Sequence, residues 1–293
     1  MEIKMNIKEI IKELIHHNII QSRTIEYEKL NGGTVSELYL LHNYDGTKFV
    51  VKLNEKQILK SEMYFLDFYK KLNLLPNLLF VEQSYNYIVY SFISGKTNFR
   101  VKNKQEMLTT LVDEAINNYK TVPNVIGFGY TDELTDSWEA FLLNEIIEVN
   151  KLLKPHLPGD EYNFVLNVLE NLKNQDTERE KYLLHGDCGV HNFIYNDGEL
   201  RGVIDPTPVI GYPLYDLIYA FCSSPNDLTI ETIDSAVSHL VIKGEKNTST
   251  LYDEVIIGLY LRLGACIKHH PYDFEKYLNA WYFWKKLSKT VQL

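Results

Sequence analysis

Ile7, Ile10, Ile11, Leu14 and Ile15 recur at helical spacing, so the pattern of apolar positions predicts an amphipathic helix at the start of the chain. Strand patterns follow. The stretch TIEYEKL leads to Asn31-Gly32-Gly33, and VSELYLL and KFVVKL flank Asp45-Gly46, a pair suited to a tight hairpin. Period 3.6 returns from Gln57 to Leu72, after which LLFVEQ and YIVYSFI predict two strands around Asn86. Beyond Gly95 the pattern is mostly helical: Gln105 to Lys120, Ser137 to Leu153, Glu161 to Leu172, and several segments from Leu214 onward. The exception is a small hairpin in which FIY and LRGVI flank Asn196-Asp197-Gly198. The expected class is α+β, with an N-terminal antiparallel-sheet lobe (1–95) and a larger helical lobe (96–293).

With 293 residues and 45% hydrophobic content, the chain can bury a sizeable core. Thirty basic against 39 acidic side chains give a formal charge of −9, a field that disfavours nucleic acid and anionic membrane surfaces as partners and favours a cationic small molecule. Cys188, Cys222 and Cys266 are scattered and odd in number, so no disulfide framework is expected. Lysines and glutamates interrupt the apolar positions of the N-terminus, which does not read as a signal peptide, and no apolar run is long enough to cross a membrane. A cytoplasmic location is expected.

Two phosphate-binding patterns fail on inspection. In SGKT, at Ser94 to Thr97, the required earlier glycine is replaced by Tyr90. In GFGYTD, beginning at Gly127, Asp132 stands where a dinucleotide fingerprint needs its third glycine. Both are read as loops.

The chemistry concentrates in LLHGDCGVHNFIYNDGELRGVIDPTPVIGYP, residues 183–213. Folding this stretch about Asn196-Asp197-Gly198 brings Asn192 and Asp205 to the same open end of the hairpin. An amide oxygen and a carboxylate suit a hard cation such as Mg²⁺, which leaves part of its shell to water and phosphates. Asp187, five residues earlier, can face the same opening and accept a proton from an attacking hydroxyl, while His185 braces the loop. A transition-metal cluster of His185, Asp187 and His191, or a thiol pair of Cys188 and His191, would leave Asn192, Asp205 and the glycine-proline motif unexplained.

Three motifs occur in order: H-G-D-x-x-x-x-N (His185 to Asn192), I-D (Ile204 and Asp205) and G-x-P-x-x-D (Gly211, Pro213 and Asp216). Together they resemble the aminoglycoside phosphotransferase family, the small-molecule branch of the protein-kinase-like fold, with choline kinase-like relatives. The resemblance implies Asp187 as catalytic base, Asn192 and Asp205 as Mg²⁺ ligands, Asp216 as a structural support of the loop, and ATP or GTP as phosphoryl donor. Asp205-Pro206-Thr207 in place of D-F-G favours a small-molecule over a protein acceptor.

The N-terminal lobe tests the same idea. In FVVKL, Phe49, Val51 and Leu53 share one strand face, and Val50 and Lys52 the other. A lysine there suits either an edge strand or a partnered site. Ile58, Phe65, Leu66 and Tyr69 surround Glu62 on the helix face expected to be buried, where a carboxylate is costly unless paired, so either Lys52 is its partner or Glu62 lies at the helix edge and reaches water. The resemblance implies that this pair faces the nucleotide phosphates, that Gly33 and Ser36 lie in a phosphate-covering turn, and that backbone groups of Ser91 and Ile93 meet adenine.

Between Thr121 and Asn150 there is no lysine or arginine, and a second acidic stretch runs from Asp205 to Ile242. They suggest either solvated helix faces or a pocket for an aminoglycoside, another amino-alcohol or a sugar, with Trp281, Tyr282 and Trp284 available for stacking or for the core. The expected activity is phosphoryl transfer from ATP to a small-molecule hydroxyl. A non-catalytic nucleotide-binding regulator of the same fold and a metallophosphoesterase are the alternatives.

Overall fold

A computed structural model describes residues 6–21, 26–30, 36–97, 103–173, 179–242 and 248–291. The sheet predicted near the N-terminus forms from β1 (Glu26–Leu30), β2 (Glu37–His42), β3 (Lys48–Leu53), β4 (Leu78–Val81) and β5 (Tyr87–Ser91). Its order is β1-β2-β3-β5-β4, antiparallel throughout. Strand β3 is therefore central, which removes the edge-strand explanation of Lys52.

Both faces of this sheet are covered, and the alternation in β3 records it. Phe49 and Val51 pack with Ile10 and Leu14 of α1 (Ile7–His16), whose first turn is capped by the Asn6 side chain accepting from Lys8 N at 3.1 Å. Val50 points the other way, into the main core with Leu59, Phe65 and Leu66 of α2 (Lys56–Phe68). Each fully buried aliphatic side chain of α1 contributes about 1.5–3 kcal/mol, enough to hold a ten-residue helix that would not persist alone.

The C-terminal part contains α3 (Lys104–Glu114), α4 (Trp138–Leu153), α5 (Gly159–Lys173), α6 (Leu214–Cys222), α7 (Ile230–Ser238), α8 (Thr248–His269) and α9 (Phe274–Val291). Helix α3 stops short of the predicted Lys120, because Asn118 Nδ2 donates to the terminal carbonyls of Asp113 and Glu114 at 3.2 and 3.3 Å. The predicted hairpin is present as β9 (Phe193–Asn196) and β10 (Glu199–Val203). Asp197 and Gly198 both have positive φ, 53° and 91°, as a primed two-residue turn requires.

A second sheet departs from the sequence expectation. Strands β6 (Phe128–Tyr130), β7 (Glu133–Thr135), β8 (Tyr182–Leu184) and β11 (Val209–Gly211) pair in the order β7-β6-β11-β8. The segment beginning at Gly127, read as a loop, contains β6 and its hairpin partner β7. Three residues are too few to show a period, and Leu183, Leu184, Val209 and Ile210 are buried on both faces, so they present apolar runs rather than alternation.

All three cysteines are free and buried. No helix among the described residues is long and apolar enough to cross a membrane.

Lys104, buried at the start of α3, donates to the carbonyls of Ser224 and Asn226 beyond the end of α6, at 2.8 and 2.7 Å. Burial pushes its pKa down to about 7 from an ordinary 10.5, with Cys222 and Asp227 opposing. It therefore holds its proton less tightly folded than unfolded, and its contribution to stability rises with pH between those two values. Urea unfolding of wild type and Lys104→Met across that window should show the difference in stability moving in favour of wild type as pH rises; a pH-independent difference would contradict this.

Candidate functional site

Strand β8 runs directly into His185-Gly186-Asp187, and β10 runs into Asp205-Pro206-Thr207 before β11. These two connections lie against each other, with Thr207 N donating to His185 O at 2.9 Å. Gly186 has φ +79°, and a Cβ there would stand 1.9 Å from Thr207 O, so only glycine allows the approach.

Asp216, at the start of α6, ties the first connection from below. Its Oδ2 accepts from His185 N and Tyr119 Oη, both at 2.7 Å, and its Oδ1 from Gly186 N at 2.9 Å. Burial pushes its pKa up while His185, Tyr119 and these amides oppose. His185 Nε2 lies 3.0 Å from Ile204 O, and its Nδ1 accepts from Asp187 N at 3.3 Å. That pattern fits the neutral ring, and burial lowers the His185 pKa.

Asp187 reaches the mouth of a cavity with a fixed carboxylate. Tyr219 Oη donates to Oδ1 at 2.5 Å, Asn192 Nδ2 to Oδ2 at 2.9 Å, and His191 Nε2 lies 3.2 Å from Oδ2. Burial raises its pKa, but the hydrogen bond and charge of His191, then Tyr219 and His185, outweigh burial and leave it below the ordinary 3.8. Burial and the neighbouring Asp187 keep the proton on the Tyr219 phenol. The arrangement is an ionised acceptor directed at a cavity.

Asn192 and Asp205 end the two hairpin arms, where Ile204 N donates to Asn192 O at 3.0 Å. Asn192 spends its amide nitrogen on Asp187, on both the backbone carbonyl and Oδ2, which leaves its Oδ1 as an available donor to a cation. Asp205 has φ 57°, an unusual backbone for a residue with a Cβ, and turns its Oδ1 to Lys52 Nζ at 2.9 Å. Lys52 Nζ is also 2.6 Å from Glu62 Oε2, with both side chains buried. Burial works against the lysine charge, but Glu62 and Asp205 outweigh it and raise its pKa. Burial pushes Glu62 up to about 7, Lys52 opposing and Asp205 adding to the rise. One cation is thus shared by two carboxylates. Ile58, expected beside Glu62 on the buried face, is exposed; Leu59 takes that place.

The nucleotide-side expectations are met unevenly. Ser36 Oγ accepts from Asn54 Nδ2 at 2.8 Å, while Gly33 lies outside the described residues. Ser91 N donates to Asn77 O at 2.9 Å, so this amide is not free for a base. Ile93, half-buried, packs against Gly202 of β10.

The cavity below Asp187 has a volume of about 660 Å³ and lies among α4, α6 and α8. Tyr130, Trp138, Tyr215 and Tyr219 supply aromatic surface. Of the acidic residues in the two stretches, only Glu145 and Glu148 reach it. Burial raises the Glu145 pKa, with Tyr130, whose Oη is 3.4 Å away, opposing. Trp281 and Trp284 are core residues, donating to Glu161 Oε2 at 2.8 Å and Leu228 O at 2.9 Å, and Tyr282 does not line the cavity. Sequence reasoning missed Tyr219 and also Arg262 of α8, which lines the same cavity. The usable signal for Tyr219 was its i+3 spacing from Asp216, which puts both on the helix face under the loop.

Among the described residues no group of three or more His, Cys, Asp and Glu side chains could hold a metal, which disfavours the transition-metal alternative. A family model described as "Phosphotransferase enzyme family" matches residues 26–242. No curated protein matches the chain in sequence. Among solved structures, choline kinase from Cryptosporidium parvum Iowa II is similar with TM-score 0.60 and 13% identity, over 97% of this chain and 96% of that one. ADP-bound aminoglycoside phosphotransferase APH(2'')-Ib gives TM-score 0.57 and 18% identity, over 93% and 96%. A thermostable mutant of aminoglycoside phosphotransferase APH(4)-Ia, in a ternary complex with AMP-PNP and hygromycin B, gives 0.58 and 16%, over 95% and 97%. At these identities the likeness concerns the fold, which is kinase-like.

Replacing Asp216 by Asn puts an amide donor among three donors. Asp216→Asn should cost about 2–4 kcal/mol in urea unfolding and Tyr119→Phe about 1 kcal/mol; equal stability of Asp216→Asn and wild type would contradict the anchoring role.

Proposed function

The chain belongs to the phosphotransferase enzyme family, and on that premise we propose that it transfers the γ-phosphoryl group of ATP, or of GTP, to a hydroxyl of a small molecule. In this reading residues 1–95 grip the nucleotide, and residues 96–293 carry the catalytic loop and the acceptor cavity. The observation that carries it is that Lys52, from a strand far away in sequence, binds Asp205 of the stretch that also joins Asn192 to Asp187, and that Asp187 lines a cavity large enough for a small-molecule acceptor.

Asp187 is the proposed base. Its carboxylate is held ionised and faces the cavity, so it can orient an acceptor hydroxyl and take its proton as the new P–O bond forms. Tyr219 positions that carboxylate. Lys52, steadied by Glu62, would contact the nucleotide phosphates, and the Ser36 and Gly33 turn would cover them. Adenine would meet the chain near Ile93 and the remaining backbone groups of Ser91. The oxygen donors of Asn192 and Asp205 fit Mg²⁺, which when bound neutralises phosphate charge. His185 and Asp216 keep the loop in place.

An aminoglycoside or other cationic amino-alcohol was the acceptor expected from the acidic stretches. Most of those carboxylates lie away from the cavity, so its own lining is the better guide to the acceptor.

With Mg²⁺ and ATP, an acceptor panel read by mass should give a product heavier by one phosphoryl group. Asp187→Asn should lower that transfer by about 10²–10⁴-fold while leaving ADP binding measurable. Unchanged turnover in Asp187→Asn would contradict the assignment.

A further inference from the structure

The charge arrangement inside the cavity differs from what a polycationic guest requires. Glu148 is already paired with Lys151 at 2.5 Å. Glu254 lies 3.8 Å from Arg179, whose guanidinium also stacks on Tyr212. Asp187 is engaged by Tyr219, Asn192 and His191. Glu145 has the Tyr130 hydroxyl, and burial disfavours its charged form. Few carboxylates remain for ammonium groups.

Arg262 lies on the α8 side of the same cavity, half-buried. Its Nε donates to Tyr277 Oη at 3.2 Å, and among the described residues no carboxylate lies within ion-pair distance of it. It stands close enough to Tyr219 for its charge to act on that phenol, and Tyr219 in turn touches Asp187. Lys268, exposed six residues further along α8, adds a second cation to this wall. A guanidinium presents paired donors that match a planar oxyanion, and a half-buried one gains most from a partner that excludes water. The rest of the wall is apolar, from Leu142, Val149, Ile218, Ile257 and Leu261.

We propose that the acceptor is an alcohol that carries an oxyanion group, a carboxylate or a phosphate, which Arg262 binds while the hydroxyl meets Asp187. This rests on the phosphotransferase reading above and narrows it: Arg262 is a specificity-determining residue, and the acceptor is a hydroxylated acid with an apolar body rather than a polyamine. Nothing in the transfer step changes. The acceptor oxygen forms the bond to phosphorus, its proton passes to Asp187, and the nucleoside diphosphate leaves with the bonding electron pair.

The test compares alcohols that differ in one anionic group, with Mg²⁺ and ATP: pantothenate against panthenol and serine against ethanolamine for a carboxylate, glycerol 3-phosphate against glycerol for a phosphate, with an aminoglycoside alongside. At least one anionic member should exceed its partner by roughly tenfold or more in kcat/KM, the equivalent of one charge-assisted pair. Arg262→Gln should collapse that ratio toward one, chiefly through KM, and Arg262→Lys should restore part of it. Preference for the amines or the aminoglycoside, or an Arg262→Gln loss that is equal for both members of each pair, would overturn the inference and leave the phosphotransferase reading standing. So would ATP hydrolysis by water with none of these acids accepted. Absence of any ATP turnover would remove the underlying reading and the inference with it.

Discussion

Lys52 Nζ lies 2.6 Å from Glu62 Oε2 and 2.9 Å from Asp205 Oδ1, so the central strand of the first sheet, its covering helix and the segment leaving the hairpin meet at one buried cation. A lysine in the middle of a two-sided sheet is tolerable only with partners, and removing either partner of a buried pair typically costs about 3–5 kcal/mol. Asp205 takes up an unusual backbone conformation to reach it. The cluster therefore orders residues 153 positions apart in the chain. Next to Asp205, Ile204 N donates to Asn192 O at 3.0 Å, and the Asn192 amide nitrogen is committed to Asp187.

The second sheet does the complementary work. Strand β11 pairs with both β6 and β8, so the entry to His185-Gly186-Asp187 and the exit from Asp205-Pro206-Thr207 are held in one register. Asp216 closes this frame through two backbone amides and Tyr119. Asp187 inherits its orientation from these contacts and its ionisation from its own donors. Its carboxylate is thus held in one orientation, the kind of preorganisation that the proposed phosphoryl transfer would use.

Much of this was legible in the sequence where a period or a motif spans enough residues. Strand β3 and the cost of burying Glu62 predicted the Lys52 pair, and Asn196-Asp197-Gly198 predicted a hairpin that joins Asn192 to Asp205. The three-residue strands were not legible, because pairing partners far away in the chain, and not local alternation, make Phe128–Tyr130 or Val209–Gly211 extended. Tyr219 and Arg262 carry no motif. Their place at the cavity comes from which helix face closes it, a property of packing among α4, α6 and α8. The acidic stretches left pocket and solvated face both open for the same reason: composition records how many carboxylates a segment has, but not which face of the helix they occupy.

In the proposed function Asp205 and Asn192 offer oxygen to a metal-bound nucleotide at the end of the Lys52 cluster. Calorimetric titration of ADP into wild type and Asp205→Asn, each with and without Mg²⁺, tests this directly. Mg²⁺ should tighten ADP binding to wild type, and that gain should disappear in the variant. An equal gain in both proteins would contradict the account.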